Sequence, residues 1–152
     1  MSSSLLILPV LLLACLLQIN ATPAPGPTSQ GRNLIQFGNM INKILGTNAL
    51  NYNGYGCWCG FGGKGEPVDG TDACCKAHDE CYDEVIASGS GLFSCSPYVS
   101  FYGWDVDPKS LLPYCKDTPG SCAHRVCECD RIVTECYKRN SDTFNKSLKC
   151  PK

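Results

Sequence analysis

Cys74-Cys75-Lys76-Ala77-His78-Asp79-Glu80-Cys81-Tyr82 is the stretch whose reading decides the fold. Cys74 and Cys81 are seven residues apart, two turns along one face of a helix. Cys129 and Cys136 repeat that spacing further along the chain. If the two segments are antiparallel helices, Cys74 can meet Cys136 and Cys81 can meet Cys129. Two covalent rungs would then clamp a rigid helical pair. His78 falls between the rungs and faces the partner helix, where Asp130 follows Cys129 directly.

Working outward, the first of these helices is expected from a cap at Thr71 or Asp72 to about Ala87. The second is expected from about Ser121 to Arg139. Leu34, Phe37, Ile41 and Ile44 recur at three- and four-residue steps, which predicts an amphipathic helix stopped near Gly46. Residues 51–70 are rich in Gly, Asn and Tyr and read as loop. Residues 94–120 contain Pro97, Pro108, Pro113 and Pro119, which argues against long regular elements and leaves room for a short hairpin.

Cysteine count sets the redox class. The chain has 152 residues, 13 cysteines and a formal net charge of -1. Residues Leu5 to Ile19 are almost wholly apolar, too short to span a bilayer comfortably, and read as a secretory leader cleaved after Ala21. Cys15 lies in that leader, so 12 cysteines remain. An even number scattered along a small secreted domain implies a disulfide framework rather than a zinc site, whose ligands come in repeated pairs. Residues 22–32 are rich in Pro and Gly and are expected to be an extended tether ending at Arg32, the chain's first basic residue. The reading is therefore a signal peptide over 1–21, a propeptide over 22–32 and one domain over 33–152. That domain has a net charge of -2 and no basic patch, which excludes nucleic acid as a partner.

The chemistry follows from three convergent signals. A histidine acts as a general base when a carboxylate holds its other ring nitrogen, and His78 with Asp130 fits that pattern. Every cysteine of the domain can be paired, and no serine stands in a nucleophile-elbow context, so the expected nucleophile is water. Asp79 points about 100° around the helix from His78. It could face the turn Tyr55-Gly56-Cys57-Trp58-Cys59-Gly60-Phe61-Gly62-Gly63. Such a turn exposes backbone carbonyls, hard ligands suited to Ca2+ alongside a carboxylate. His124, beside Cys122 and Arg125, has no comparable setting and reads as an ordinary packed or solvated residue.

These same segments resemble secreted calcium-dependent phospholipase A2. Residues 55–63 look like its calcium loop, 74–82 its active-site helix, and Cys127-Glu128-Cys129-Asp130 the start of its second long helix. Asn33-Leu34-Ile35-Gln36-Phe37 resembles the pancreatic and elapid-venom branch. The resemblance implies a mainly α, disulfide-rich fold with two long antiparallel linked helices, an N-terminal amphipathic helix, a calcium-binding loop and a small β-hairpin region. It implies His78 as base, Asp130 as its orienter, and Asp79 with the carbonyls of Trp58, Gly60 and Gly62 as calcium ligands. The Gly60 amide would hold the oxyanion, Tyr82 and Tyr102 would bond Asp130, and Tyr98 would contact the substrate phosphate. It further implies disulfides Cys57–Cys150, Cys59–Cys75, Cys74–Cys136, Cys81–Cys129, Cys95–Cys122 and Cys115–Cys127.

Three positions depart from the family pattern. Trp58 replaces the commonest tyrosine, where only the carbonyl is needed. Lys43 stands where the branch has a cysteine, whose partner is also missing near residues 104–107. The stretch from Trp104 to Tyr114 does not look like the usual short hairpin. The implied partner is a phospholipid surface, met through an apolar collar of Leu34, Ile35 and Phe37 near Trp58 or Phe61. A second class of function uses the same scaffold without catalysis, as a toxin subunit or ligand of a protein receptor. Retention of His78, Asp79, Asp130 and the glycine loop favours the enzyme. Oligomeric state is not written in the sequence.

Overall fold

The computed structural model describes residues 29–89 and 95–151, with side chains from Leu34 onward. The expected leader and most of the propeptide lie outside the described residues. Helix α1 spans Ser29–Leu45, a 3₁₀ turn spans Ala49–Asn51, and helix α2 spans Gly70–Ala87. Strands β1 (Trp104–Val106) and β2 (Pro113–Cys115) follow. Helix α3 (Cys122–Arg139) and a 3₁₀ turn (Ser141–Thr143) complete the order.

The linked helices form as the cysteine spacing requires. Bonds Cys74–Cys136 and Cys81–Cys129 join α2 to α3, each with Cα atoms 5.8 Å apart, which makes the pair antiparallel. The other four disulfides are Cys57–Cys150, Cys59–Cys75, Cys95–Cys122 and Cys115–Cys127, the pairs the resemblance implied. Helix α1 lays its apolar stripe on this frame. Met40 packs with Tyr82, Val126 and Cys129. Ile41 packs in a second cluster with Tyr52, Val133 and Tyr137. Gly46 ends α1 at φ +64°, a left-handed conformation that glycine adopts without a Cβ clash.

Three details differ from the sequence expectation. Helix α1 begins at Ser29, so residues 29–32 are helical rather than extended; the last proline before it is Pro27, and no proline falls within the helix. Helix α2 is capped by Asp69, whose carboxylate accepts from the Asp72 N–H at 2.8 Å, and not by Thr71 or Asp72. Residues 104–115 do form an antiparallel hairpin, in register Trp104↔Cys115, Asp105↔Tyr114 and Val106↔Pro113. Pro113 is tolerated because it opens its strand, and Pro108 lies in the turn. The Asp107 carboxylate organises that turn by accepting from the N–H groups of Lys109 and Ser110.

Candidate active site

Between the two rungs, Nε2 of His78 lies 2.7 Å from Oδ1 of Asp130. Asp130 is fully buried on α3, and its charge is met from three sides. The Tyr82 hydroxyl donates to Oδ1 at 2.6 Å, and the Tyr102 hydroxyl donates to Oδ2 at 2.5 Å. Burial, and then the neighbouring Asp130 charge, push both phenols well above the ordinary tyrosine range. They therefore stay protonated donors at neutral pH. A buried carboxylate that receives hydrogen bonds can stay ionised and hold one imidazole tautomer. In that tautomer Nε2–H faces Asp130 and Nδ1 carries the lone pair.

His78 opens onto a cavity of about 280 Å³. Its walls include Leu34, Phe37, Trp58, Gly60, Asp79 and Tyr98, so most of the sequence-predicted residues share one space. Gly62 does not line it, and Tyr102 reaches the site only through Asp130. The Phe37 ring packs 4.8 Å from the imidazole and stands half-buried in the cavity wall beside Leu34. Leu50 and Phe61 line the cavity while 73% and 77% exposed, which places them at its mouth with Leu34. Leu50 was not anticipated from sequence, because it lies on a three-residue turn too short to show periodicity.

The glycine loop is held by a residue whose role the sequence did not reveal. Asp72, fully buried on α2, accepts from the N–H groups of Cys57 at 2.8 Å, Trp58 at 2.7 Å and Val68 at 2.9 Å. Gly56 passes so close that an added Cβ would lie 2.2 Å from the Asp72 carboxyl carbon, so the approach requires glycine. From the other side, Gly56 N–H donates to the Leu148 carbonyl and Gly56 O accepts from Cys150 N–H. Lys149 Nζ donates to the Gly54 carbonyl at 2.6 Å.

Backbone pairing in this loop alternates from Cys57 to Gly60. The carbonyls of Cys57 and Cys59 accept from Lys64 and Gly54. Those of Trp58, Gly60 and Gly62 accept none of the hydrogen bonds found among the described residues. Trp58 is fixed by its indole N–H donating to Gly65 O at 3.0 Å, with the Lys76 ammonium 5.3 Å over its ring. Half-burial pushes the Asp79 carboxyl up, against a downward pull from His78 and a further rise from Asp83. No group of three or more His, Cys, Asp or Glu side chains suited to a metal occurs among the described residues. A cation here would depend on one carboxylate plus unpaired carbonyls, which is a hard-oxygen donor set.

The sequence matches the family described as Phospholipase A2 over residues 34–149. The chain belongs to the phospholipase A2 family. Among curated phospholipases A2, it is 41% identical to basic phospholipase A2 caudoxin of Bitis caudalis over 116 residues, 76% of this chain and 88% of the relative. It is 42% identical to basic phospholipase A2 Pla2Vb of Vipera berus berus, over 77% of this chain and 78% of the relative. It is also 42% identical to human group IIE secretory phospholipase A2, over 75% of each. These viper and group II relatives do not support the pancreatic and elapid branch suggested by residues 33–37. Lys43, standing where that branch has a cysteine, is a departure from it in the same direction. A short apolar helix start carries less subgroup information than a covalent bond.

Proposed function

We propose that the chain is a secreted, calcium-dependent phospholipase A2 that hydrolyses the sn-2 ester of phosphoglycerides at lipid interfaces. The observation that carries this reading is the His78–Asp130 hydrogen bond, with His78 sharing one apolar-walled cavity with Asp79, Trp58 and Gly60.

In this reading His78 Nδ1 takes a proton from water, and the water oxygen attacks the ester carbonyl. Asp130 steadies the imidazolium that forms, and Tyr82 and Tyr102 keep the Asp130 carboxyl fixed. The Gly60 N–H donates to the developing oxyanion. Its loop position suits that role, since it makes no hydrogen bond among the described residues. Tyr98, lining the cavity, contacts the phosphate. Asp79 and the carbonyls of Trp58, Gly60 and Gly62 would hold Ca2+. When bound, the ion supplies Lewis-acid polarisation of the ester carbonyl. His78 then returns its proton to the leaving alkoxide.

Residues 1–21 serve as the leader in this proposal, 22–32 as a propeptide and 33–152 as the enzyme. Because α1 starts at Ser29, the bond after Arg32 lies inside its first turn, and cleavage requires that turn to fray. No helix among the described residues is long and apolar enough to cross a membrane, and the lipid contact in this proposal is peripheral. The deciding assay is phospholipid vesicle hydrolysis by purified protein with calcium and with chelator. Calcium-dependent release of the sn-2 fatty acid is expected. Saturable vesicle binding without release would turn the assignment toward a non-catalytic member of the scaffold.

A further inference from the structure

Asn145-Lys146-Ser147 is an Asn-x-Ser sequence with no proline at its centre, and Leu148 follows it. All three residues are exposed on a surface turn. Asn145 Oδ1 accepts from the Ser147 N–H at 3.1 Å, and Asn145 O accepts from the Leu148 N–H at 2.8 Å. This is an Asx-turn nested in a β-turn, which brings the serine beside the asparagine amide. With Oδ1 engaged, Nδ2 points away from that bond and donates to nothing among the described residues.

The turn is presented from a firm base. Phe144 packs its ring 4.7 Å from that of Tyr52 and 5.0 Å from that of Tyr55. Leu148 is partly buried against the same cluster. The Asn145 backbone also hydrogen-bonds the Tyr55 hydroxyl. None of residues 145–147 lines the active-site cavity, so a bulky group on Asn145 leaves its lining untouched.

We propose that Asn145 is an N-glycosylation site. The inference rests on the secretory routing proposed above, because the acceptor sequence is used only in that compartment. The donor is a lipid-pyrophosphate-linked oligosaccharide. A bond forms between Asn145 Nδ2 and the anomeric carbon of its terminal N-acetylglucosamine. The anomeric C–O bond breaks, the pyrophosphate lipid leaves with the electron pair, and the amide gives up one proton. A second acceptor sequence, Asn20-Ala21-Thr22, falls at the expected leader junction, outside the described residues, and would be lost with the leader.

The test is expression of the full 1–152 chain in secreting animal cells, with medium and cell fractions treated by peptide N-glycanase. The expected result is disulfide-bonded protein in the medium that shifts on digestion, with Asn145 converted to Asp in the released peptide. Asn145→Gln and Ser147→Ala should each abolish the shift, while Ser147→Thr should keep it. Secreted protein with an unmodified Asn145 would overturn the proposal and leave the secretory reading standing. Retention of wild-type chain in the cells would overturn both. A shift that survives Asn145→Gln would assign the sugar to another residue and likewise overturn it.

Discussion

Nε2 of His78 and Oδ1 of Asp130 lie 2.7 Å apart although 52 residues separate them in sequence. Disulfide rungs above and below set that distance, so the pair should survive changes that remove only its chemistry. His78→Gln is expected to fold with a melting temperature near wild type and to lose about 10²–10⁴-fold or more in turnover. Thermal melts beside vesicle hydrolysis rates check this. Near-normal turnover in folded mutant would remove His78 from the base role.

Among the described residues Asp79 is the only carboxylate lining the cavity, which Trp58 and Gly60 of the loop also line. Asp79→Lys should abolish calcium binding and hydrolysis together, since an ammonium takes the place of the cation. Calorimetry that still detects stoichiometric calcium binding in this variant would locate the ion elsewhere.

Asp72 gives a prediction at one remove from the chemistry. Asp72→Asn replaces an acceptor of three amides with a group that must turn a donor toward them. Each buried amide left unpaired costs about 1–3 kcal/mol. Calcium affinity should fall about 10–100-fold, as for other residues that orient ligands from behind. Titration of calcium against a fluorescence signal from Trp58 would report it. Unchanged affinity would mean that Cys57–Cys150 and Cys59–Cys75 alone hold the loop.

The tyrosines predict the alkaline limb of stability. Burial, then the bond to Asp69, pushes the Tyr55 hydroxyl up to about 12, and Tyr52, Tyr82, Tyr98, Tyr102 and Tyr137 also move upward. A raised pKa means the folded state holds the proton more tightly than the unfolded chain. That contribution is intact below the unfolded value of about 10 and is lost as pH rises through the folded value. Urea midpoints should therefore fall as pH rises from about 10 towards about 12. Tyr55→Phe should flatten part of that fall, and a slope equal to wild type would dissociate Tyr55 from it.

The mouth residues predict the response to lipid. Leu34, Leu50 and Phe61 are exposed around the cavity, and burying each in a bilayer surface contributes roughly 1.5–3 kcal/mol at most. Phe61→Ser with Leu50→Ser should weaken vesicle adsorption strongly while sparing hydrolysis of dispersed monomeric lipid. Equal vesicle binding by wild type and the double variant would place the lipid-facing surface elsewhere. The same pair of assays on 22–152 and 33–152 tests whether the tether restrains the interface.

The rung geometry and its histidine were legible because cysteine spacing converts directly into helical phase. The alternating glycines likewise announced a loop with exposed carbonyls. Asp72 was not legible: at sequence level an acidic residue near a helix start reads as a cap, and only the fold shows that Asp69 takes that role. The hairpin was obscured by Pro108 and Pro113, whose effect depends on whether each falls inside a strand or at its edge. Tyr102 reached Asp130 through a tertiary contact that no local periodicity encodes.

The strap from Leu148, Lys149 and Cys150 onto Gly54, Gly56 and Cys57 has a consequence for timing. A ribosome adds about 5–20 residues per second, N-terminus first. Helix α2, with His78 and Asp79, is therefore made well before the last residues that fasten the loop beside it. Between those two points the nascent chain carries His78 and Asp79 without a secured loop. The candidate site is therefore closed by its covalent and hydrogen-bonded strap only after Leu148, Lys149 and Cys150 have been made.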